Sequence, residues 1–137
     1  MAPPSSPPPL IGVRVLVVDD DRVALTVLCS MLRAAGAEVD GVATGPEALE
    51  RLQKSRIDFL LCDVYMAGMD GFEVVRRVRQ LPPQARGEVP AVAITGHPSY
   101  ENRRDALRAG FQDLLGKPVE AADLVALVLK LTRPATA

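Results

Sequence analysis

The chain has 137 residues, of which 48% are hydrophobic, and it carries a formal net charge of −1. It is long enough for one domain with a buried core, and it lacks the positive field that would attract nucleic acid. No apolar run approaches the ~20 residues that cross a bilayer, and the first residues lack the basic start and apolar core of a signal peptide. We therefore expect a cytoplasmic protein that binds neither nucleic acid directly nor membranes.

One folded unit between two short tails is predicted. Five of the twelve prolines lie at the very start of the chain, so residues 1–10 are predicted to form a Pro-rich disordered tail. The folded domain is expected over residues 11–132, and a flexible tail over residues 133–137. Cys29 and Cys62 lack metal-ligand spacing and are interpreted as buried thiols.

Strand and helix signals alternate along the chain. The first strand, VRVLVV at residues 13–18, is a continuous β-branched run, which is typical of a strand buried on both faces. The helix that follows has apolar residues at helical spacing and ends before Gly36. The second strand, EVDGV at residues 38–42, is more polar and suits a sheet edge. Thr44 and Glu47 then form a capping box for the second helix.

The alternation continues to the end of the domain. Strands are predicted at residues 57–62, 90–95 and 111–116, and helices at residues 72–81, 100–110 and about 120–131. Five strands that alternate with five helices predict an α/β fold with an open, doubly wound parallel sheet and helices on both faces. In such folds, ligands bind at the carboxyl ends of the strands.

Acidic, hydroxyl and amino side chains stand at these strand ends. The set comprises, in chain order, Asp19, Asp20, Asp63, Thr95 and Lys117. Asp21 is interpreted instead as a helix cap, and Asp70 with Gly71 as a turn and helix start. Converging carboxylates repel one another unless a cation is present, and an all-oxygen ligand set suits Mg²⁺. Because a carboxylate can attack phosphorus and a lysine can neutralise phosphoryl oxygens, the set predicts magnesium-assisted phosphoryl transfer.

Four motifs resemble the receiver domains of two-component response regulators over about residues 13–131: LVVDDD, CDVYMAGMDG, AITG and LLGKP. The resemblance implies a flavodoxin-like (βα)5 fold with strand order 2-1-3-4-5. It implies that Asp63 is the phosphoacceptor and that Thr95 and Lys117 contact the phosphoryl group. The implied Mg²⁺ ligands are Asp19, Asp20, Asp63 and the backbone carbonyl of Tyr65. The peptide bond between Lys117 and Pro118 is expected to be cis.

Two positions depart from the family pattern. Ala67 stands four residues after the phosphoacceptor, where members of the family often have proline, so we expect a looser loop there. Leu114 stands three residues before the lysine, where many members have Tyr or Phe, whose ring swings inward when the threonine moves. Aromatic switching of the usual kind is therefore not expected.

The resemblance implies a signalling protein that catalyses only its own phosphorylation and dephosphorylation. The expected phosphoryl donor is a sensor histidine kinase or a histidine phosphotransfer protein, and output would pass to a downstream protein target. A weak homodimer through helix 4, strand 5 and helix 5 is also considered. Tyr65 and His97 are expected to flank the path of an attacking water, and the bulk of Tyr65 is expected to slow hydrolysis.

Two other functions stay open on the sequence alone. A docking module, or pseudo-receiver, would keep the fold without using phosphate, and Leu114 is compatible with it. The pattern D-x-D-x-V at residues 19–23 also resembles haloacid-dehalogenase phosphatases, in which Asp19 would be the nucleophile and Asp21 the acid/base. That alternative leaves Asp63 without a role, and no paired acid follows Lys117 to complete the metal site.

Overall fold

The computed structural model describes residues 7–133, and the predictions for residues 1–6 and 134–137 lie outside the described residues. Five strands alternate with five α-helices over the described part of the chain. The strands are β1 Arg14–Val18, β2 Glu38–Val42, β3 Phe59–Asp63, β4 Ala91–Thr95 and β5 Asp113–Gly116. The helices are α1 Arg22–Ala34, α2 Gly45–Lys54, α3 Gly71–Gln80, α4 Tyr100–Ala109 and α5 Ala121–Thr132.

The strands form one parallel sheet in the order β2-β1-β3-β4-β5, which confirms the predicted fold class and strand order. Every residue of β3 and β4 is buried, whereas only one residue of the polar edge strand β2 is buried. Central strands are buried throughout because helices cover both faces of the sheet.

Alternate side chains of the strands enter two hydrophobic cores on opposite faces of the sheet. Val15 and Val17 of β1 pack in the core that contains residues of α1 and α5. Leu16 and Val18 of the same strand pack in the core that contains residues of α2, α3 and α4. The sheet is therefore held from both sides, and its carboxyl edge presents the polar residues at fixed positions.

Short polar side chains cap the starts of four helices, and Ser99 does so at α4. Asp21 caps α1, as predicted, by accepting hydrogen bonds from two backbone amides of the first turn. Asp70, which was predicted to lie at a helix start, caps α3. Thr44 caps α2, since its hydroxyl accepts a hydrogen bond from the amide of Glu47 at 3.3 Å. The Glu47 carboxylate accepts from the Thr44 hydroxyl at 3.0 Å rather than from the Thr44 amide, so the N-cap half of the predicted capping box is confirmed. These bonds satisfy amides that the helix itself leaves unpaired.

Two predicted strands, 57–62 and 111–116, begin two residues later in the structure. Ile57 and Phe111 are nearly fully buried, but their side chains enter the core from connecting segments rather than from a strand. A buried side chain in a connection gives the same hydrophobic signal as a strand residue, so the sequence pattern extends the strand too far.

Leu10, next to the predicted start of the folded domain, packs into the core. Leu10 is 0% exposed, and its amide donates a hydrogen bond to the carbonyl of Ala35 at 2.8 Å. Its side chain belongs to the core beneath α1 and α5. A single leucine that follows a proline run has no periodic neighbours, so its place in the core depends on the docking of this segment against the end of α1.

Cys29 and Cys62 are free and buried, as predicted. Burial raises the pKa of both thiols, and that of Cys62 most strongly. Thiols of this kind are chemically unreactive. No helix within residues 7–133 has the length and apolar character needed to cross a membrane.

Gly71 begins α3 where the helix touches the end of β3. A Cβ at this position would overlap the carbonyl oxygen of Asp63 and lie 2.9 Å from the Cα of Val64. We predict that Gly71→Ala lowers the free energy of unfolding by about 2–3 kcal/mol, because backbone atoms cannot move aside. Urea denaturation checks this result.

Gly96→Ala is the matched control, since no neighbouring atom lies within 4 Å of the added carbon. It should change stability by less than ~0.5 kcal/mol. Equal stability of the two variants would contradict the close contact at the start of α3.

Candidate functional site at the carboxyl ends of the strands

Strand pairing brings two acidic segments of the chain together. β1 pairs with β3 with Val18 opposite Cys62. Asp19 therefore lies beside Asp63, which is the last residue of β3. The amide of Asp19 donates a hydrogen bond to the carbonyl of Val42 at 3.2 Å, which keeps the residue in line with the sheet. The register of the sheet, rather than closeness in sequence, makes these carboxylates neighbours.

Asp19, Asp20 and Asp63 form one carboxylate cluster. Each residue contributes one oxygen to a group whose members all lie within 4.8 Å of one another. Asp19 is 0% and Asp63 6% exposed, whereas Asp20 is exposed. Oxygens on opposite sides of Mg²⁺ lie about 4.2 Å apart, because each ligand is about 2.1 Å from the ion. Oxygens at these separations fit around one Mg²⁺, and the exposed side leaves room for water.

Lys117 supplies the positive charge of the cluster. Its Nζ donates a hydrogen bond to Asp19 Oδ2 at 2.8 Å and lies 3.6 Å from Asp63 Oδ2. The pairing of β5 with β4 brings residue 117 to the same edge of the sheet. The ammonium group offsets part of the repulsion between the two buried carboxylates. The peptide bond between Lys117 and Pro118 is cis, as expected.

Burial and neighbouring charges shift the pKa values of these groups. Burial and the negative charge of Asp19 raise the pKa of Asp63 from its ordinary value of 3.8 to about 6, although Lys117 opposes the rise. Burial alone lowers the pKa of Lys117, but the hydrogen bond with Asp19 and the charge of Asp63 outweigh burial, so this pKa is raised. Lys117 is therefore charged at neutral pH, and Asp63 holds its proton to higher pH than an exposed aspartate.

Asp20 is tied to the loop after β3. The amide of Ala67 donates a hydrogen bond to Asp20 Oδ2 at 3.0 Å. A proline at this position has no N–H and could not make the bond. The loop is thus anchored at the residue where we expected it to be looser. A carboxylate oxygen has more than one lone pair, so Asp20 remains able to bind a metal.

Thr95 and Tyr65 stand at the ends of the two adjacent central strands. Thr95 directly follows Ile94, which pairs with Asp63. It is fully buried, and its Oγ1 accepts a hydrogen bond from the amide of His97 at 3.0 Å. Among residues 7–133 no protein group donates a hydrogen bond to the backbone carbonyl of Tyr65, which leaves that oxygen available as a ligand.

Leu114 departs from the family pattern, and Asn102 makes contacts that the sequence analysis did not predict. Leu114 is 7% exposed and lies in the core beneath α4, so no aromatic ring stands at that position. Asn102 was missed by the sequence analysis, although its side chain bonds to both Tyr65 and His97. An asparagine in the first turn of a helix is unremarkable in sequence, and only the approach of α4 to the loop after β3 reveals its contacts.

Comparison with known proteins identifies the family. Residues 15–129 match the family model described as the response regulator receiver domain. The chain belongs to this family. Receiver domains are signalling modules, and the match covers most of the described residues.

Three relatives illustrate the breadth of the receiver family. An uncharacterized 14.6 kDa protein of Leptolyngbya boryana is 44% identical over 115 residues, which cover 83% of this chain and 86% of that protein. The sensor histidine kinase GacS of Pseudomonas protegens is 37% identical over 120 residues, which cover 87% of this chain. The chain spans only 13% of the length of that kinase.

The third relative is the receiver domain of the sensor histidine kinase PA1611 from Pseudomonas aeruginosa. Its solved structure aligns with a TM-score of 0.80 at 31% identity, covering 88% of this chain and 98% of that one. That structure is described as having a magnesium ion coordinated in the active site cleft.

The haloacid-dehalogenase alternative is not supported. In that alternative Asp21 would act as the acid/base, but its carboxylate caps α1. Asp63 would have no role, but its carboxylate lies in the acidic cluster. The pseudo-receiver alternative shares the receiver fold and is addressed by experiment below.

The raised pKa of Asp63 predicts a stability effect in the metal-free protein. Between about pH 3.8 and about 6 the folded state retains a proton at Asp63 that the unfolded state releases, so this group's contribution to stability is lost as the pH rises. Asp63→Asn has no such proton, so its free energy of unfolding does not fall in this way. Relative to wild type, its free energy of unfolding should therefore rise by about 1–3 kcal/mol as the pH goes from 4 to 7.5. Urea denaturation in EDTA measures the difference, and a pH-independent difference would contradict the raised pKa.

Proposed function

We propose that this receiver domain accepts a phosphoryl group on Asp63 from the phosphohistidine of a sensor histidine kinase or a histidine phosphotransfer protein, with Mg²⁺ as cofactor. The observation that carries the proposal is the convergence of three carboxylates and one lysine at neighbouring strand ends. Phosphoryl transfer depends mainly on positioning and on charge neutralisation. The cluster offers a nucleophile, a cation and a set of metal ligands at one point.

In the proposed reaction an oxygen of the Asp63 carboxylate attacks phosphorus. The bond between phosphorus and the imidazole nitrogen breaks, its electron pair stays on that nitrogen, and an aspartyl phosphate forms. Lys117 lies 3.6 Å from Asp63 and favours the ionised form that attacks. When bound by Asp19, Asp20, Asp63 and the carbonyl of Tyr65, Mg²⁺ would neutralise charge on the phosphoryl oxygens.

Thr95 and Lys117 would hold the phosphoryl group after transfer. The Thr95 hydroxyl accepts a hydrogen bond from the amide of His97, so its own proton is left for donation to a phosphoryl oxygen. The ammonium of Lys117 would pair with a second oxygen. The sheet already holds both groups in position, so less entropy is lost in orienting them when the phosphoryl group is transferred.

Output is proposed to pass through protein contacts. The new dianion would bias Thr95 and the loop between β4 and α4, and through them the surface formed by α4, β5 and α5. A downstream protein target, or a second copy in a weak homodimer, would bind that surface. The net charge of −1 gives no support for direct binding to nucleic acid. Free, buried thiols fit a reducing compartment, so we propose the cytoplasm as the site of action.

Asp63→Asn tests the acceptor directly. With acetyl phosphate and Mg²⁺, wild type should gain one phosphoryl group, and Asp63→Asn should gain none because it lacks the attacking oxygen. Intact-mass spectrometry measures the product. Asp123→Asn, an exposed aspartate in the first turn of α5, is the matched control and should be labelled like wild type.

Two results would overturn the assignment. An unlabelled wild type would favour the pseudo-receiver, whereas label retained in Asp63→Asn would point to another acceptor such as Asp19. A phosphotransfer profile against candidate kinases then identifies the physiological donor.

Tyr65 is proposed to slow hydrolysis of the aspartyl phosphate by restricting the approach of water. Tyr65→Asn should speed dephosphorylation about fivefold, which corresponds to ~1 kcal/mol in the barrier. The decay of labelled protein after removal of the donor measures the rate. Tyr100→Asn is the control, because Tyr100 is 78% exposed at the start of α4. An unchanged rate in Tyr65→Asn would count against this role.

A further inference from the structure

The side chain of Tyr65 is tied to α4 by one long-range hydrogen bond. Its hydroxyl donates to Asn102 Oδ1 at 2.8 Å, across 37 positions of sequence. The Asn102 amide in turn donates from Nδ2 to the backbone carbonyl of His97 at 2.7 Å. The rings of Tyr65 and His97 meet edge to face, with centroids 6.2 Å apart and planes at 73°. The three residues therefore bridge the loop after β3 and the loop after β4.

Asn102 is itself held in place by hydrogen bonds at the start of α4. Its backbone amide donates to the Ser99 hydroxyl at 3.0 Å, which is the N-cap bond of α4. The amide of Ser99 also donates to the carbonyl of His97 at 2.9 Å. The start of the helix thus aims the Asn102 side chain toward the strand ends, and little conformational freedom remains to be lost when the bridge forms.

Asparagine makes both bonds of the bridge, and the bond from the Tyr65 hydroxyl is the one that anchors the ring. Its amide oxygen accepts from the Tyr65 hydroxyl while its amide nitrogen donates to the His97 carbonyl. Aspartate has the same shape but no donor, and alanine has neither group. The chain of bonds also reaches the interior of the site, because the amide of His97 donates to the hydroxyl of the fully buried Thr95.

We propose that Asn102 is a positioning residue that holds Tyr65 across the ends of β3 and β4, beside Asp63, and thereby prolongs the lifetime of the phosphoryl group. The kinetic part of this inference rests on the proposed phosphoacceptor function. Tyr65 is 53% exposed, so without its anchor the ring can turn toward solvent and open the approach to the acceptor. The bridge also links the site to α4. This chain has leucine at position 114, where many family members have an aromatic residue.

The position of Tyr65 is tested without phosphate by NMR. His97 is the single histidine and Tyr65 one of two tyrosines, so a Tyr100→Phe background leaves each ring with unambiguous signals. In this background, NOEs between the Tyr65 and His97 rings are expected. Asn102→Ala should abolish them and move the His97 ring signals toward those of a free imidazole. Asn102→Asp keeps the acceptor for the Tyr65 hydroxyl and should retain them.

Unchanged NOEs in Asn102→Ala would overturn the inference. Loss of the NOEs in both Asn102→Ala and Asn102→Asp would also overturn the inference. That result would mean that the hydrogen bond from Asn102 to the His97 carbonyl, rather than the bond from the Tyr65 hydroxyl, keeps the two rings together. Glu101→Ala, at the exposed neighbouring position of α4, is the control for a general disturbance of the helix start and should leave the NOEs intact.

Dephosphorylation kinetics test the consequence for the phosphoryl group. Asn102→Ala and Tyr65→Phe should each speed the decay about two- to tenfold, the range expected for loss of one hydrogen bond. The double variant should decay no faster than the faster single variant, because both changes break the same bridge. Asn102→Asp and Glu101→Ala should decay at rates near that of wild type.

An unchanged rate in Asn102→Ala, or a double variant whose rate increase equals the product of the two single increases, would overturn the kinetic role. If the wild type takes no phosphoryl group at all, the proposed function fails and the kinetic role fails with it. The NMR result still decides whether Asn102 positions Tyr65, so the two failures are distinguished.

Discussion

The site depends on the attraction between the Lys117 ammonium and the buried carboxylate of Asp19, at 2.8 Å. Two buried carboxylates side by side are costly, because each loses water and each repels the other. The lysine offsets this cost only when its Nζ reaches both Asp19 and Asp63, which requires β5 to take its place at the edge of the sheet. The positive charge that stabilises the cluster therefore comes from a residue 98 positions away from Asp19 in the sequence. The site can form only when the sheet is complete.

A second set of bonds connects this cluster to the surrounding loops. Ala67 donates its amide to Asp20, and Tyr65 donates its hydroxyl to Asn102. Each bond joins a residue of the loop after β3 to a different element, so the loop is held toward β1 at one point and toward α4 at another. Leu114 packs as an ordinary core residue. The link between the loop after β3 and α4 therefore runs through the exposed side chain of Tyr65 rather than through an aromatic ring at position 114.

Much of the architecture was predictable because its signals are local. Continuous apolar runs marked the central strands, and Asp21, Thr44 and Asp70 marked helix starts that the structure confirms. The two strands that were predicted too long share one cause. Ile57 and Phe111 lie in connecting segments and are buried, and a hydrophobic residue in a connection cannot be distinguished by pattern from one in a strand.

The sequence by itself determined the alternation of strands and helices, the acids and the lysine at the strand ends, and a resemblance that the family match bears out. Only the tertiary structure decided which residues are in contact: Lys117 with Asp19, Ala67 with Asp20 and Asn102 with Tyr65. The reason is physical. Periodicity and capping are read over a few neighbouring residues, whereas a hydrogen bond between distant segments exists only when packing has set the separation and angle of two whole elements to within a fraction of an ångström.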